Sequence, residues 1–166
     1  IGVRLVGSEM CIRDRFLCEN NQYGMSMATD KAVAGKSIAS RGESYGIESI
    51  QIDGNDVETV YETVLDYKNK ILSSNGPKFI EAVTYRYRGH SKSDRNLYRT
   101  SDEIEYWKEE KDPIKRYIGK LLESGITEEQ LRDIDSSVKE EIRNSVKKAL
   151  DSPLSPITNL EEDSYA

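Results

Sequence analysis

Arg86, Arg88, Lys92, Arg95 and Arg99 crowd the stretch from Thr84 to Thr100, and the only histidine of the chain, His90, lies among them. Asp94 is the one acid in that stretch, although the whole chain carries a formal charge of −6. A basic, hydroxyl-rich loop with a glycine, set in an acidic protein, suits a phosphorylated small molecule. His90 follows Gly89, which lets the main chain turn sharply or approach a ligand closely. The surrounding cations favour a neutral imidazole, able to bond or exchange protons beside an anionic ligand. Ser91 and Ser93, flanked by cations, are candidates for phosphorylation, which would bring negative charge into a loop fit to hold another anion. A structural histidine and plain solvated serines are the alternative readings of the same residues.

A second stretch, Asn20-Asn21-Gln22-Tyr23-Gly24, directly follows the apolar Phe16-Leu17-Cys18 and Glu19. Asparagine and main-chain carbonyl oxygens are hard donors that suit Mg²⁺, which shares its octahedron with phosphate oxygens and water. Taken alone, an ordinary Asn/Gly turn explains these residues as well. The chain holds no glycine-rich phosphate loop, no dinucleotide fingerprint, no paired-cysteine or paired-histidine metal spacing and no nucleophile-elbow sequence. The commonest nucleotide enzymes and serine hydrolases are therefore set aside.

Composition narrows the classes further. Apolar residues make up 36% and charged ones 33%, so the chain is soluble but poor in core material, as an appended or incomplete domain would be. Its acidic balance argues against a nucleic-acid surface, which needs spread positive charge. No apolar run approaches the roughly 20 residues of a membrane span. Cys11 and Cys18 are too few and too close for a disulfide framework, which favours a reducing compartment.

The elements that must carry these loops read as α/β. Phe16-Leu17-Cys18 predicts the end of a buried strand. A helix of small residues is expected over 37–45, stopped by Gly46, and a strand over 49–52, closed by Asp53-Gly54-Asn55. Asp56 caps a helix with Val57, Val60, Tyr61, Val64 and Ile71 at helical spacing. Gly76-Pro77 leads into a strand over 79–85. This alternation predicts a parallel sheet with binding residues beyond the strand C-termini. Thr100 with Glu103 and Thr127 with Gln130 match capping boxes, and Asp112-Pro113 marks a helix start. The last helix, about 128–150, lines up Leu131, Ile134, Val138, Ile142 and Val146. Residues 1–15 fit none of this: Val6 to Arg15 resembles translated sequencing-adaptor read-through, so native sequence is expected from near Phe16. The expected division is an atypical segment 1–15, a partial α/β domain 16–100, a helical extension 101–152 and a tail 153–166.

Together, Phe16-Leu17-Cys18-Glu19-Asn20-Asn21-Gln22-Tyr23-Gly24-Met25 and Thr84-Tyr85-Arg86-Tyr87-Arg88-Gly89-His90-Ser91-Lys92-Ser93-Asp94 resemble the alpha subunit of the thiamine-diphosphate-dependent 2-oxo-acid dehydrogenases, the pyruvate and acetoin dehydrogenase group. Tyr98-Arg99-Thr100 and Asp112-Pro113-Ile114 also fall where that family has them. The resemblance covers about 16–155. It implies part of a thiamine-diphosphate-binding α/β domain with a helical C-terminal extension, working with a beta subunit in an α₂β₂ heterotetramer and passing an acetyl group to the lipoyl transacylase component.

By that resemblance Asn21 matches a Mg²⁺ ligand, Tyr23 the donor of a main-chain carbonyl to the metal, and Gly24 belongs to the same cofactor loop. His90 matches the histidine that reaches the cofactor and assists the first chemical steps. Ser91 matches a serine that kinases modify in mitochondrial relatives; the second such serine has no counterpart, which argues against that regulation and for a bacterial, cytoplasmic source over a mitochondrial matrix. The Gly-Asp-Gly half of the family's metal motif would precede residue 1, so the chain is expected to be a C-terminal fragment without activity alone. The substrate is expected to be pyruvate or acetoin, with a branched-chain 2-oxo acid as the alternative. A non-catalytic module, its basic loop holding any anion and its helical tail a partner, is the reading from another class.

Overall fold

A computed structural model describes residues 14–73 and 76–154. Residues 1–13 and 155–166, which hold most of the atypical head and the tail, lie outside the described residues. In chain order the elements are β1 (Arg15–Asn20), β2 (Tyr23–Gly24), β3 (Met27–Ala28), α1 (Thr29–Ala32), α2 (Ala39–Glu43), β4 (Glu48–Asp53), α3 (Val57–Leu72), β5 (Lys78–Val83), α4 (Ser101–Glu109), α5 (Pro113–Glu123) and α6 (Glu128–Asp151). The described residues up to Lys120 form one compact unit and those from Leu121 a second.

In the first unit β1, β5 and β4 form a parallel sheet in that order, with Arg15 and Glu48 both level with Lys78, and Asn20 and Asp53 both level with Val83. The α/β expectation holds. All three strands end together, so the loops after Asn20, Asp53 and Val83 emerge at one edge. Alternation along β5 divides its side chains between two faces. Ile80 and Ala82 join Ile52 and Tyr67 in the core, with Val60 and Val64 of α3 packed on it. Phe79 and Glu81 face the other way. There Phe79 stacks on its cross-strand neighbour Phe16 at 6.5 Å between ring centroids, and the N–H of Ala39 at the start of α2 reaches Glu81.

Three expectations change. The strand containing Phe16-Leu17-Cys18 is only partly buried: among the described strands β1 pairs with β5 alone, and Leu17 is 60% exposed. It also runs on to Asn20, which closes the strand rather than opening the loop. The helix expected over 37–45 is α2, only Ala39–Glu43; beyond it, Tyr45 and Gly46 donate to carbonyls three residues back, and Gly46 turns the chain at φ +71°. Gly42 allows α2 to lie against β4, since a Cβ there would collide with the Ser49 hydroxyl.

Local signals elsewhere act as read. Asp56 caps α3 by accepting from the Thr59 N–H at 3.0 Å, and this bond, with help from Lys120, holds its carboxyl at about 2. The same carboxylate ties α5 to the β4–α3 corner through Arg116 at 3.3 Å and Lys120 at 3.0 Å. Asp112 accepts from the N–H groups of Ile114 and Lys115 ahead of α5. In the second unit, Thr127 and Gln130 complete a reciprocal capping box at the start of α6, and Ile134, Val138, Ile142 and Val146 form an exposed apolar stripe along it.

Candidate functional site

Two loops at the C-terminal edge of the sheet carry the residues singled out above. The first is the corner after β1. Asn20 Oδ1 accepts from the Gln22 N–H at 3.1 Å, and Asn21 Oδ1 accepts from the Tyr23 N–H at 3.1 Å, so two asparagine turns follow one another. Gln22 sits at φ +71°, the left-handed region, and its side-chain amide returns to the Asn20 carbonyl at 3.2 Å. Thr29 fastens the far side by donating its N–H to the Gln22 carbonyl and its hydroxyl to Asn20 Oδ1. Asn21 and Tyr23 are half-buried and Gly24 is exposed, with open space where a Cβ would sit.

Tyr23 is held from a distance. Its hydroxyl donates to Glu103 at 2.8 Å, and that carboxylate also accepts from the Tyr85 hydroxyl at 2.9 Å. Burial first, and then this bond, push the Tyr23 phenol up to about 12. Thr100 caps α4 by accepting from the Glu103 N–H, as expected, but the Glu103 side chain turns to the two tyrosines instead of completing the box.

The second loop, residues 84–100, is built around Arg99, which is only 8% exposed. Its guanidinium donates to the carbonyls of Arg86 and Tyr87 and to Asn96 Oδ1, and lies 5.4–5.7 Å from the ring centroids of Tyr23, Tyr85 and Tyr98. Arg86 donates to the Met25 carbonyl at 2.6 Å and to the Tyr98 hydroxyl at 2.7 Å. These two arginines, read from sequence as cations for a ligand, instead brace the loop, because five fixed N–H donors match clustered carbonyls. Arg88, Lys92 and Arg95 lack that role: Lys92 is exposed on the loop surface, and Arg95 lines its cleft.

Asp94 likewise answers the main chain more than the cations. It accepts from the His90 N–H at 2.7 Å, the Asn96 N–H at 2.8 Å and the Tyr98 hydroxyl at 2.7 Å. The bonds from Asn96 and His90, then Tyr98, hold its carboxyl down at about 2. Gly89 lies so close that a Cβ there would stand 2.7 Å from the Asp94 Cβ. His90 is exposed on this folded turn, and Ser91 lies 3.1 Å from Ser93, hydroxyl to hydroxyl.

The loops meet. The Arg86 N–H donates to the Asn21 carbonyl at 3.3 Å, one residue pair beyond the Thr84 bond to Asn20. Met25 and Ser26 share a cleft of about 430 Å³ with His90, Ser91, Arg95 and Tyr98. Asn21 and Tyr23 do not line that cleft; Arg86 links Asn21 to Met25 and Tyr98, which do. Glu103 and Glu81 were missed as site residues, since the sequence marks them only as a helix cap and a polar strand position; Arg99 was read as a ligand cation and not as a brace.

As donors for a dication, the Asn21 amide oxygen and the Tyr23 carbonyl are of the hard kind Mg²⁺ takes, and both are neutral. Among the described residues no three His, Cys, Asp or Glu side chains cluster to hold a metal. A dication held at this corner would have to take its anionic ligands from elsewhere.

The family model for the dehydrogenase E1 component matches residues 12–158. The chain belongs to this dehydrogenase E1 family. It is 36% identical over 149 residues to the pyruvate dehydrogenase E1 component subunit alpha of Rhizobium meliloti (strain 1021), which covers 89% of this chain and 43% of that protein. It is 42% identical over 116 residues to the mitochondrial 2-oxoisovalerate dehydrogenase subunit alpha of Mus musculus, covering 69% and 26%. With the mitochondrial pyruvate dehydrogenase E1 component subunit alpha type I of Ascaris suum the identity is 36% over 152 residues, covering 90% and 38%. The chain thus spans less than half the length of these E1 relatives. They come from bacteria and mitochondria alike, and among the described residues no helix is long and apolar enough to cross a membrane.

Proposed function

We propose that this chain is the part of a 2-oxo-acid dehydrogenase alpha subunit that receives thiamine diphosphate and Mg²⁺, and that the whole enzyme decarboxylates pyruvate and passes the acetyl group to the lipoyl transacylase component. The observation that carries this reading is the joining of the two loops at the sheet edge by Arg86, whose N–H meets Asn21 and whose guanidinium meets Met25. Pyruvate is preferred to acetoin because two of the relatives described are named for it; a branched-chain 2-oxo acid is the alternative that the mouse relative supports.

In this reading Asn21 Oδ1 and the Tyr23 carbonyl bind the metal, and Gly24 leaves room for the cofactor beside them. When bound, thiamine diphosphate supplies a nucleophilic carbon and an electron sink for cleaving the bond beside a carbonyl. His90, exposed at the cleft and anchored through its N–H to Asp94, exchanges a proton there. Arg95 lines the same cleft, with Arg88 and Lys92 on the same loop, and their charge favours anions there. A phosphate on exposed Ser91 would compete for that charge. The beta subunit completes an α₂β₂ assembly, in a bacterial cytoplasm or a mitochondrial matrix.

The test uses the full-length alpha subunit with its beta partner. Calorimetry is expected to find thiamine diphosphate binding that requires Mg²⁺, and His90→Ala should lower turnover on the order of 10²–10⁴-fold with the melting midpoint unchanged. Side-by-side assays of pyruvate, acetoin and branched-chain 2-oxo acids name the substrate. Metal-independent binding, or a fully active His90→Ala enzyme, would overturn the corresponding assignment.

A further inference from the structure

Glu81 lies in the middle of β5 and is 0% exposed. Nothing in the proposed chemistry uses it, and a buried carboxylate costs more folding free energy than an apolar side chain of its size. Both its oxygens are engaged. Oε1 accepts from Asn20 Nδ2 at 2.7 Å and Oε2 from the Ala39 N–H at 2.8 Å.

The consequence runs through Asn20. A carboxylate only accepts, so the Asn20 amide must turn its NH₂ toward Glu81. Its carbonyl oxygen then has one direction left, toward the Gln22 N–H at 3.1 Å and the Thr29 hydroxyl at 3.2 Å. Those bonds hold Gln22 at φ +71°, and Gln22 separates Asn21 from Tyr23. With the opposite amide orientation, an NH₂ group would face the Gln22 N–H and the turn would not close.

We propose that Glu81 is a positioning residue for the Asn21–Tyr23 corner, acting through the orientation of the Asn20 amide. The inference rests on the reading of Asn21 and Tyr23 as metal ligands, but its effect on the corner can be measured without any ligand.

The experiment compares wild type, Glu81→Gln and the double variant Asn20→Asp/Glu81→Gln in the full-length alpha subunit with its beta partner. In the single variant one acceptor becomes a donor, which faces either the Ala39 N–H or a reversed Asn20. In the double variant donor and acceptor exchange places. The introduced glutamine donates to one oxygen of the introduced aspartate and accepts from the Ala39 N–H. The other aspartate oxygen receives Gln22 and Thr29, and the net charge is that of the wild type.

Amide hydrogen exchange over 20–24, without ligand, is expected to rise on the order of tenfold or more in Glu81→Gln and to return in the double variant. The Kd for Mg²⁺ at fixed thiamine diphosphate, read by calorimetry, should rise on the order of 10–100-fold and then recover to within about threefold. Unchanged exchange in Glu81→Gln overturns the proposal, as does a folded double variant whose corner stays loose. Should Glu81→Gln not fold, the double variant decides alone: slow exchange with wild-type Mg²⁺ affinity supports the role. If exchange follows the expected pattern while wild type binds no Mg²⁺–thiamine diphosphate, the ligand reading falls and the control of the corner by Glu81 stands.

Discussion

The Tyr23 hydroxyl donates to the Glu103 carboxylate at 2.8 Å, tying the corner after β1 to a helix that begins some 80 residues later. Tyr85 donates to the same oxygen at 2.9 Å, so one carboxylate holds a ring from each of the two motif loops. Glu103→Ala removes the acceptor of both bonds and should destabilise the protein by about 2 kcal/mol, read from chemical denaturation. Tyr23 should then ionise below about 12 but still above its ordinary value of 10, because burial, the larger cause, remains. The sign follows from a phenol favoured in its neutral form by folding: the contribution is complete below pH 10 and disappears as pH rises through about 12. A spectrophotometric tyrosine titration showing no high-pH phase in the wild type would refute this.

Arg99→Lys tests whether the loop cation is a brace. Lysine keeps the charge but not the fork that reaches the Arg86 and Tyr87 carbonyls and Asn96 together. A loss of about 3 kcal/mol is expected, with faster proteolysis between residues 86 and 98. A variant of wild-type stability with weakened anion binding would show instead that Arg99 serves the ligand.

The turn that carries His90 should lose its Asp94 fastening in acid. Folding depresses the Asp94 carboxyl from 3.8 to about 2, so its contribution is present above pH 3.8 and is lost as pH falls through about 2. Asp94→Asn should loosen residues 89–96 at neutral pH, seen as faster amide exchange at His90 and Asn96. Equal exchange in the two proteins would remove Asp94 as the fastener of this turn.

Gly89→Ala should act on the same turn by crowding. The added methyl would stand 2.7 Å from the Asp94 Cβ and 2.9 Å from its carboxyl carbon. A destabilisation of about 1–3 kcal/mol is expected, together with the exchange pattern of Asp94→Asn. A neutral substitution would mean that the turn relaxes freely.

What the sequence discloses of this fold is what lies within a few residues. Asp56 with Thr59 and Thr127 with Gln130 are legible because cap and partner are three apart, and the α3 stripe because its spacing is helical. The alternation of strand and helix gives the parallel sheet, but not that β5 lies between β1 and β4. The roles of Arg99 and Glu81 depend on main-chain groups brought near by the sheet, and no local pattern announces them. Glu103 shows both sides: its N–H obeys the local rule while its carboxylate serves a distant tyrosine.

Among the described strands of the sheet, β1 and β4 each hydrogen-bond to β5, the one translated last. A nascent chain leaving the ribosome therefore carries β1 without its β5 ladder until residues 78–83 have emerged. The corner waits longer still, because Thr84 and Arg86 supply its outer bonds and Arg99 the cation against the Tyr23 ring. During that interval Phe16, without Phe79 to stack on, is open to chaperones or to wrong partners. Chains cut short of Arg99 would emerge with a corner left unbraced rather than as a smaller form of the same site.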